Sequence, residues 1–217
     1  MVEKYKTIAD KKVWETGVRH LGRVDKTLNR LIRKVGVTGA WEKAKWWWEP
    51  NHYESIVRSI IFQQISTRAG ISILNKFKSL YGDKLPLPRE FLRSKKRTVL
   101  AVGISSQKYS YLKDLCQRIE DGKLELKKFC QMSDEDIIKE LDEVRGIGRW
   151  TAEMYLIGTL GRVDVFPVDD LGIRKTVRKL YGFRKLPDRQ KLNALSQKWR
   201  PYRTIAAVYF WQSTELD

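Results

Sequence analysis

Two stretches of the chain combine residue types that could do chemistry. The first is Leu141-Asp142-Glu143-Val144-Arg145-Gly146-Ile147-Gly148-Arg149-Trp150-Thr151-Ala152. Helical patterns on both sides are interrupted by Gly-Ile-Gly. Two glycines one residue apart allow a turn too tight for side chains and let another backbone come close. Ile147 between them is apolar and can pin the turn onto a core. The N–H groups of the turn and of the next helix start then face outward together, which makes an anion site. The second stretch is Phe166-Pro167-Val168-Asp169-Asp170-Leu171-Gly172-Ile173. One aspartate suffices to cap the following helix. Its neighbour is then available to face a cleft and stabilise positive charge developing on a sugar, as fixed carboxylates do in glycoside hydrolysis. The plainer readings are an ordinary helix–turn–helix and two capping aspartates.

Charge favours the functional reading of the first stretch. The 217 residues carry 43 Lys plus Arg against 26 Asp plus Glu, a formal net charge of +17. Such a surplus calls for an anionic partner, and nucleic acid is the commonest, so the anion at the turn is most simply a DNA phosphate. Hydrophobic residues make up 42% and charged residues 32%, a globular composition with enough chain for a real core. Two cysteines, Cys116 and Cys130, are too few for a disulfide framework or a four-cysteine cluster, and their half-apolar settings suggest buried thiols. There is no signal-like apolar segment at Met1 to Asp10 and no apolar run of spanning length. The expectation is an intracellular protein without a membrane partner.

The elements that must position these residues read almost entirely as helices. Asp25 to Val35 puts Leu28, Leu31, Ile32 and Val35 on one face, and Gly36 stops it. Tyr53 to Ile65 repeats cleanly through Ile56, Val57, Ile60, Ile61, Gln64 and Ile65, as a central helix. Another helix runs to about Tyr81, before the linker Leu85-Pro86-Leu87-Pro88. Ser106, Ser133 and Asp188 are helix caps, with Asp134, Glu135 and Asp136 favouring the dipole after Ser133. Pro201 starts the last helix, with Ile205, Val208, Tyr209 and Trp211 inward. The one candidate strand is short and precedes Gly17. Of the eight tryptophans, Trp46, Trp47, Trp48 and Trp199 read as core or groove-lining bulk.

From about Asn51 to Trp211 the chain resembles the helix-hairpin-helix DNA glycosylase superfamily, and within it the AlkA/Mag-like 3-methyladenine DNA glycosylase II branch. The resemblance rests on Gly-Ile-Gly-Arg-Trp-Thr-Ala and Phe-Pro-Val-Asp-Asp-Leu-Gly-Ile-Arg at the branch's separation. It implies that Asp170 is the catalytic carboxylate, with Asp169 its structural neighbour. Gly146, Gly148 and Thr151 would donate N–H groups to phosphate, with Arg149 among the DNA-binding residues. Carbonyls of Asp142, Val144 and Ile147 would hold a monovalent cation (Na+ or K+). Trp150 and Trp211 match aromatic positions of the base pocket, suited to a cationic alkylated purine. Gln64 falls at the wedge position, which some relatives fill with leucine, so it fills the gap left by a flipped base. Relatives similar to endonuclease III carry a lysine where this chain has Trp150. Tryptophan cannot form a Schiff base, so the chain looks monofunctional.

The fold so implied is all-α, with two helical lobes flanking a DNA-binding cleft. Residues 1–50 form an N-terminal helical segment packing on the C-terminal lobe, 51–132 a helical lobe, and 133–217 the hairpin and catalytic lobe. The chain resembles short members without the extra N-terminal domain. The implied activity is excision of alkylated purines from duplex DNA by a monomer. It needs no cofactor and no iron–sulfur cluster, and is DNA-associated in the cytoplasm or nucleoid of a prokaryote or the nucleus of a eukaryote. Alternatives are a glycosylase for deaminated or oxidised bases and a module that only binds damaged DNA.

Overall fold

A computed structural model describes residues 7–46 and 51–213. Helix α1 (Lys11–Val24) begins where Asp10 accepts the Lys12 N–H at 2.8 Å, and buries Trp14, Gly17, Val18 and Leu21. That spacing is one face of a helix, so the strand expected before Gly17 is helix instead. Gly17 permits close packing. A Cβ there would lie 2.4 Å from Ile205 Cδ1 and 2.8 Å from Tyr202 Cδ1. We expect Gly17→Ala to lower stability by about 1–3 kcal/mol through overpacking, although alanine is the better helix former. Urea unfolding checks it, and an unchanged midpoint would refute this account of the contact.

Helices α2 (Lys26–Val35) and α3 (Val37–Trp46) follow, then α4 (His52–Phe62), α5 (Thr67–Ser79), α6 (Pro88–Arg93), α7 (Lys96–Ala101) and α8 (Ser106–Glu120). The chain continues through α9 (Asp134–Asp142), α10 (Arg149–Gly158), α11 (Leu171–Leu180), α12 (Arg189–Ser196) and α13 (Arg203–Ser213). Short 3₁₀ turns cover Leu126–Gln131 and Gln197–Trp199. Among the described residues the only β pairing is a single bridge between Thr7 and Arg162. No described helix is long and apolar enough to cross a membrane.

The chain divides into two compact units, Met1–Trp48 with Leu156–Asp217, and Glu49–Tyr155. The core of the first is α13, buried from Thr204 to Phe210 and again at Gln212, with α1, α2, α3 and α11 packed on it. Trp199 is buried in this unit, its ring 5.1 Å from Phe166 and 5.2 Å from Phe210. Pro201 does not start the last helix. It follows a cis bond from Arg200, and Tyr202 intervenes before α13. Asp25, a buried carboxylate, caps α2 by accepting from Thr27 N at 2.9 Å and Leu28 N at 3.0 Å. It also accepts from Tyr181 OH at 2.6 Å, Trp199 Nε1 at 2.9 Å and Lys198 Nζ at 2.8 Å.

The second unit packs Ile56, Val57, Ile60 and Ile61 of α4 with Phe77 of α5, Phe91 of α6 and Leu112, Leu115 and Cys116 of α8. Its hairpin, α9 to the start of α10, adds Ile137, Ile138, Leu141, Val144 and Ile147. Helix α8 is capped by Ser105, one residue before the expected Ser106. Helix α4 ends at Phe62, so Gln64 and Ile65 lie beyond it, in the turn before α5. Burial pushes the Cys116 thiol up to about 12. Cys130, expected to be buried, is exposed, with Sγ 3.9 Å from His52 Nε2. Trp47 and Trp48 lie outside the described residues, as does the Trp46 side chain.

Candidate DNA-binding hairpin and active carboxylate

Asp170 is held at the start of α11. Its Oδ1 accepts the Ile173 N–H at 2.8 Å as an N-cap. The same oxygen accepts the Trp211 indole N–H at 3.2 Å. The chain reaches this position through a loop fixed by the first turn of α13. Thr204 donates its hydroxyl to Arg162 O at 2.7 Å and accepts Val165 N at 2.9 Å. Arg203 Nε reaches Asp164 Oδ1 at 2.7 Å, and Arg200 Nη1 reaches Asp164 Oδ2 at 2.8 Å. Asp170 N then bonds Pro167 O at 3.0 Å, closing a turn. A carboxylate placed by a cap, an indole and a braced loop needs little rearrangement to meet a positive charge, which is what electrostatic catalysis asks for. Gly172 leaves room here, since a Cβ would come within 3.1 Å of Asp170 Oδ1.

Asp169 is exposed and forms a two-pronged ion pair with Arg189. The adjacent aspartates therefore have different partners: one caps α11 and meets an indole, the other reaches α12.

The hairpin assigns its two glycines different tasks. Gly146 has φ +82, and a Cβ on it would lie 2.2 Å from the Tyr111 ring of α8. Both facts require glycine from inside the molecule. Gly148 has no neighbour within 4 Å of a would-be Cβ. Its open side leaves space for an outside backbone. Ala152 N bonds Gly148 O at 3.1 Å, the first bond of α10. The N–H groups of Gly148, Arg149, Trp150 and Thr151 precede that bond and so have no partner within the helix. Ile147, 4% exposed, pins the turn, and Arg145 N is fixed by Asp114 Oδ2 of α8 at 2.9 Å.

Arg149, expected among the DNA-contacting residues, directs its guanidinium to two carboxylates. It binds Glu135 bidentately at 3.0 and 2.6 Å and Glu153 through Nε at 3.1 Å. The hydrogen bond to Glu135 holds the arginine above its usual range and the glutamate below its own. This clamp joins the start of α9 to the first turn of α10.

Trp150, 44% exposed, stands in the first turn of α10. Gln64 is exposed in the turn between α4 and α5 and adopts φ +57, a left-handed conformation unusual for a side-chain-bearing residue. The structure thus brings Asp170 and Trp211 together in one unit, and the hairpin and the Gln64 turn together in the other. One contact was missed by sequence reasoning: Gln63 Nε2 donates to Gly146 O at 2.7 Å. A glutamine just past a helix, 83 residues from its partner, gives no periodic signal.

A family model of the HhH-GPD superfamily of base excision DNA repair proteins matches residues 57–201. DNA-3-methyladenine glycosylase 1 of Schizosaccharomyces pombe is 35% identical over 202 residues, covering 91% of this chain and 86% of that protein. The alkylbase DNA glycosidase-like protein mag2 of the same yeast is 32% identical over 203 residues, covering 91% and 92%. Among solved structures, S. pombe 3-methyladenine DNA glycosylase (Mag1) in complex with abasic DNA superposes with a TM-score of 0.78. It is 32% identical, and the match covers 92% of this chain and 97% of that one.

Proposed function

The chain belongs to the HhH-GPD superfamily of base excision DNA repair proteins, and on that basis we propose that it is a monofunctional DNA N-glycosylase releasing alkylated purines, of the 3-methyladenine and 7-methylguanine class, from duplex DNA. The observation that carries the reading is Asp170, a carboxylate whose Oδ1 is fixed at the start of α11 by the Ile173 N–H and the Trp211 indole.

The hairpin N–H groups around Gly148 and Thr151 hold a DNA phosphate, and the open side of Gly148 admits the backbone. Lysines and arginines add salt-dependent affinity. The target base leaves the stack and Gln64 fills the gap. Trp150, 44% exposed, supplies the indole, and a cationic base over such a ring gains roughly 0.5–2 kcal/mol. The C1′–N bond then breaks, and its electron pair leaves with the base. The ring nitrogen that was cationic becomes neutral, so the leaving group needs no strong general acid. Asp170 stabilises the oxocarbenium ion formed on the sugar. Water adds to C1′ and loses a proton, giving free base and an abasic site.

The carbonyls of Asp142, Val144 and Ile147 fit a monovalent cation. They are neutral hard oxygens, and Val144 O keeps a lone pair after accepting the Ile147 N–H at 3.0 Å. Bound there, Na+ or K+ would supply positive charge beside the phosphate. The protein works as a monomer wherever the genome is kept, in nucleoid or nucleus.

The test is incubation with methylated duplex DNA, with and without borohydride. Free 3-methyladenine or 7-methylguanine and no trapped protein–DNA adduct are expected. An adduct would show amine chemistry and end the monofunctional reading. No release of either base would end the alkylated-purine reading and turn attention to deaminated and oxidised bases.

A further inference from the structure

The turn from Phe62 to Ser66 is weakly held by its own backbone. Gln63 N to Ile60 O and Ile65 N to Phe62 O both span 3.4 Å, the long end of the hydrogen-bond range. Gln64, inside this turn, carries the left-handed φ of +57, a conformation that costs a side-chain-bearing residue free energy and must be imposed by its surroundings. Two much shorter bonds to other elements supply that restraint. Lys108 Nζ of α8 donates to Ile61 O at 2.7 Å, and Gln63 Nε2 donates to Gly146 O at 2.7 Å.

Both bonds lead to the hairpin. Lys108, Tyr111 and Asp114 recur every third residue along α8. Tyr111 fills the space where Gly146 lacks a Cβ, and Asp114 accepts the Arg145 N–H. The left-handed Gly146, in turn, presents the carbonyl that Gln63 needs.

We propose that Gln63 is a positioning residue that ties the Gln64 turn to the phosphate-gripping hairpin, so that seating a phosphate fixes the wedge in the register that expels the target base. The proposal rests on the wedge and phosphate roles given above. In this role Gln63 acts through Gly146 O, to which its amide donates, and not on the base or the sugar. Its loss should therefore weaken the opening of a paired lesion and spare both duplex affinity and cleavage of a base that is already unpaired.

The experiment compares full-length wild type, Gln63→Met and Gln64→Ala. Methionine keeps the length of Gln63 and removes its donor. Single-turnover release of 7-methylguanine is measured from two duplexes, one with the lesion opposite cytosine and one with it in a one-nucleotide bulge. Affinity for undamaged duplex and the unfolding midpoint are measured in parallel. We expect Gln63→Met to slow the paired substrate about tenfold, the worth of one good hydrogen bond, with the bulged substrate and duplex affinity within about twofold of wild type. Equal losses on both substrates would mean that Gln63 only supports the fold, and no loss on the paired substrate would mean that the bond couples nothing. Either outcome overturns the proposal. Gln64→Ala reports on the premise separately. If it matches wild type on the paired lesion, the wedge reading fails. If it alone is slow there, only the coupling through Gln63 fails.

Discussion

Asp170→Asn is expected to lower base release by about 10² to 10³-fold and to leave the fold intact. The rate loss is the size seen when one preorganised electrostatic stabiliser is removed from a transition state, about 2.7–4 kcal/mol. The stability forecast follows from the cap. Asparagine is as good an N-cap as aspartate, and its carbonyl oxygen can still accept the Ile173 and Trp211 N–H groups that Oδ1 accepts now. What it lacks is charge. The substitution thus separates the capping role from the catalytic one, which replacement by alanine would not do. Asp169→Asn is the companion, since its side chain is exposed and paired with Arg189, an interaction worth roughly 0–1 kcal/mol. Single-turnover assays with unfolding curves for both variants decide the matter. If Asp170→Asn releases base at more than about a tenth of the wild-type rate, Asp170 is only a cap.

Asp25→Ala should lower stability by about 3–5 kcal/mol, because it leaves several buried donors without an acceptor at roughly 1–3 kcal/mol each. Its carboxylate ends two N–H groups, a phenol, an indole and an ammonium. Lys198 is 39% exposed and can regain water, so most of the loss comes from the buried donors. Burial alone would raise the Asp25 carboxyl, but Lys198, Tyr181, the Leu28 N–H and Trp199 together hold it below its ordinary value. A carboxyl depressed in the folded state contributes stability above its unfolded value, near 3.9, and that stability is lost as pH falls through the folded value. Urea midpoints between pH 7 and pH 3 should therefore fall more steeply for wild type than for Asp25→Asn. Parallel curves would show that Asp25 is not the source of the acid sensitivity.

The contrast between these aspartates shows what the sequence could reveal. Asp170 was legible because a local pattern, two carboxylates before an amphipathic helix, sits at a fixed separation from Gly-Ile-Gly. Asp25 was read only as the start of a helix, since Tyr181 and Trp199 lie 156 and 174 residues away and no local rule reports such partners. Helical periodicity found α2 with both its edges, and found α4 and α8 but failed at one edge of each. It carried α4 on to Ile65, because Gln64 and Ile65 continue the spacing by chance, while the left-handed Gln64 breaks the helix. Gly17 reads as punctuation after a short candidate strand, as a lone glycine does. Its actual cause, the side chains of Tyr202 and Ile205, lies on the last helix and the turn before it. The two hairpin glycines looked equivalent, and only the space around each separates the internal requirement at Gly146 from the open side of Gly148.

The unit built on α13 is assembled from two segments, with residues 49–155 inserted between them. On a ribosome this ordering has a cost. Trp14, Leu21, Leu28 and Leu31 emerge before residues 49–155, yet the helix that covers them follows those residues. The inserted unit, with all its partners already out, can close first. Helices α1 and α2 must wait with their apolar faces uncovered, so chains stalled before α13 are the species most exposed to aggregation or chaperone capture.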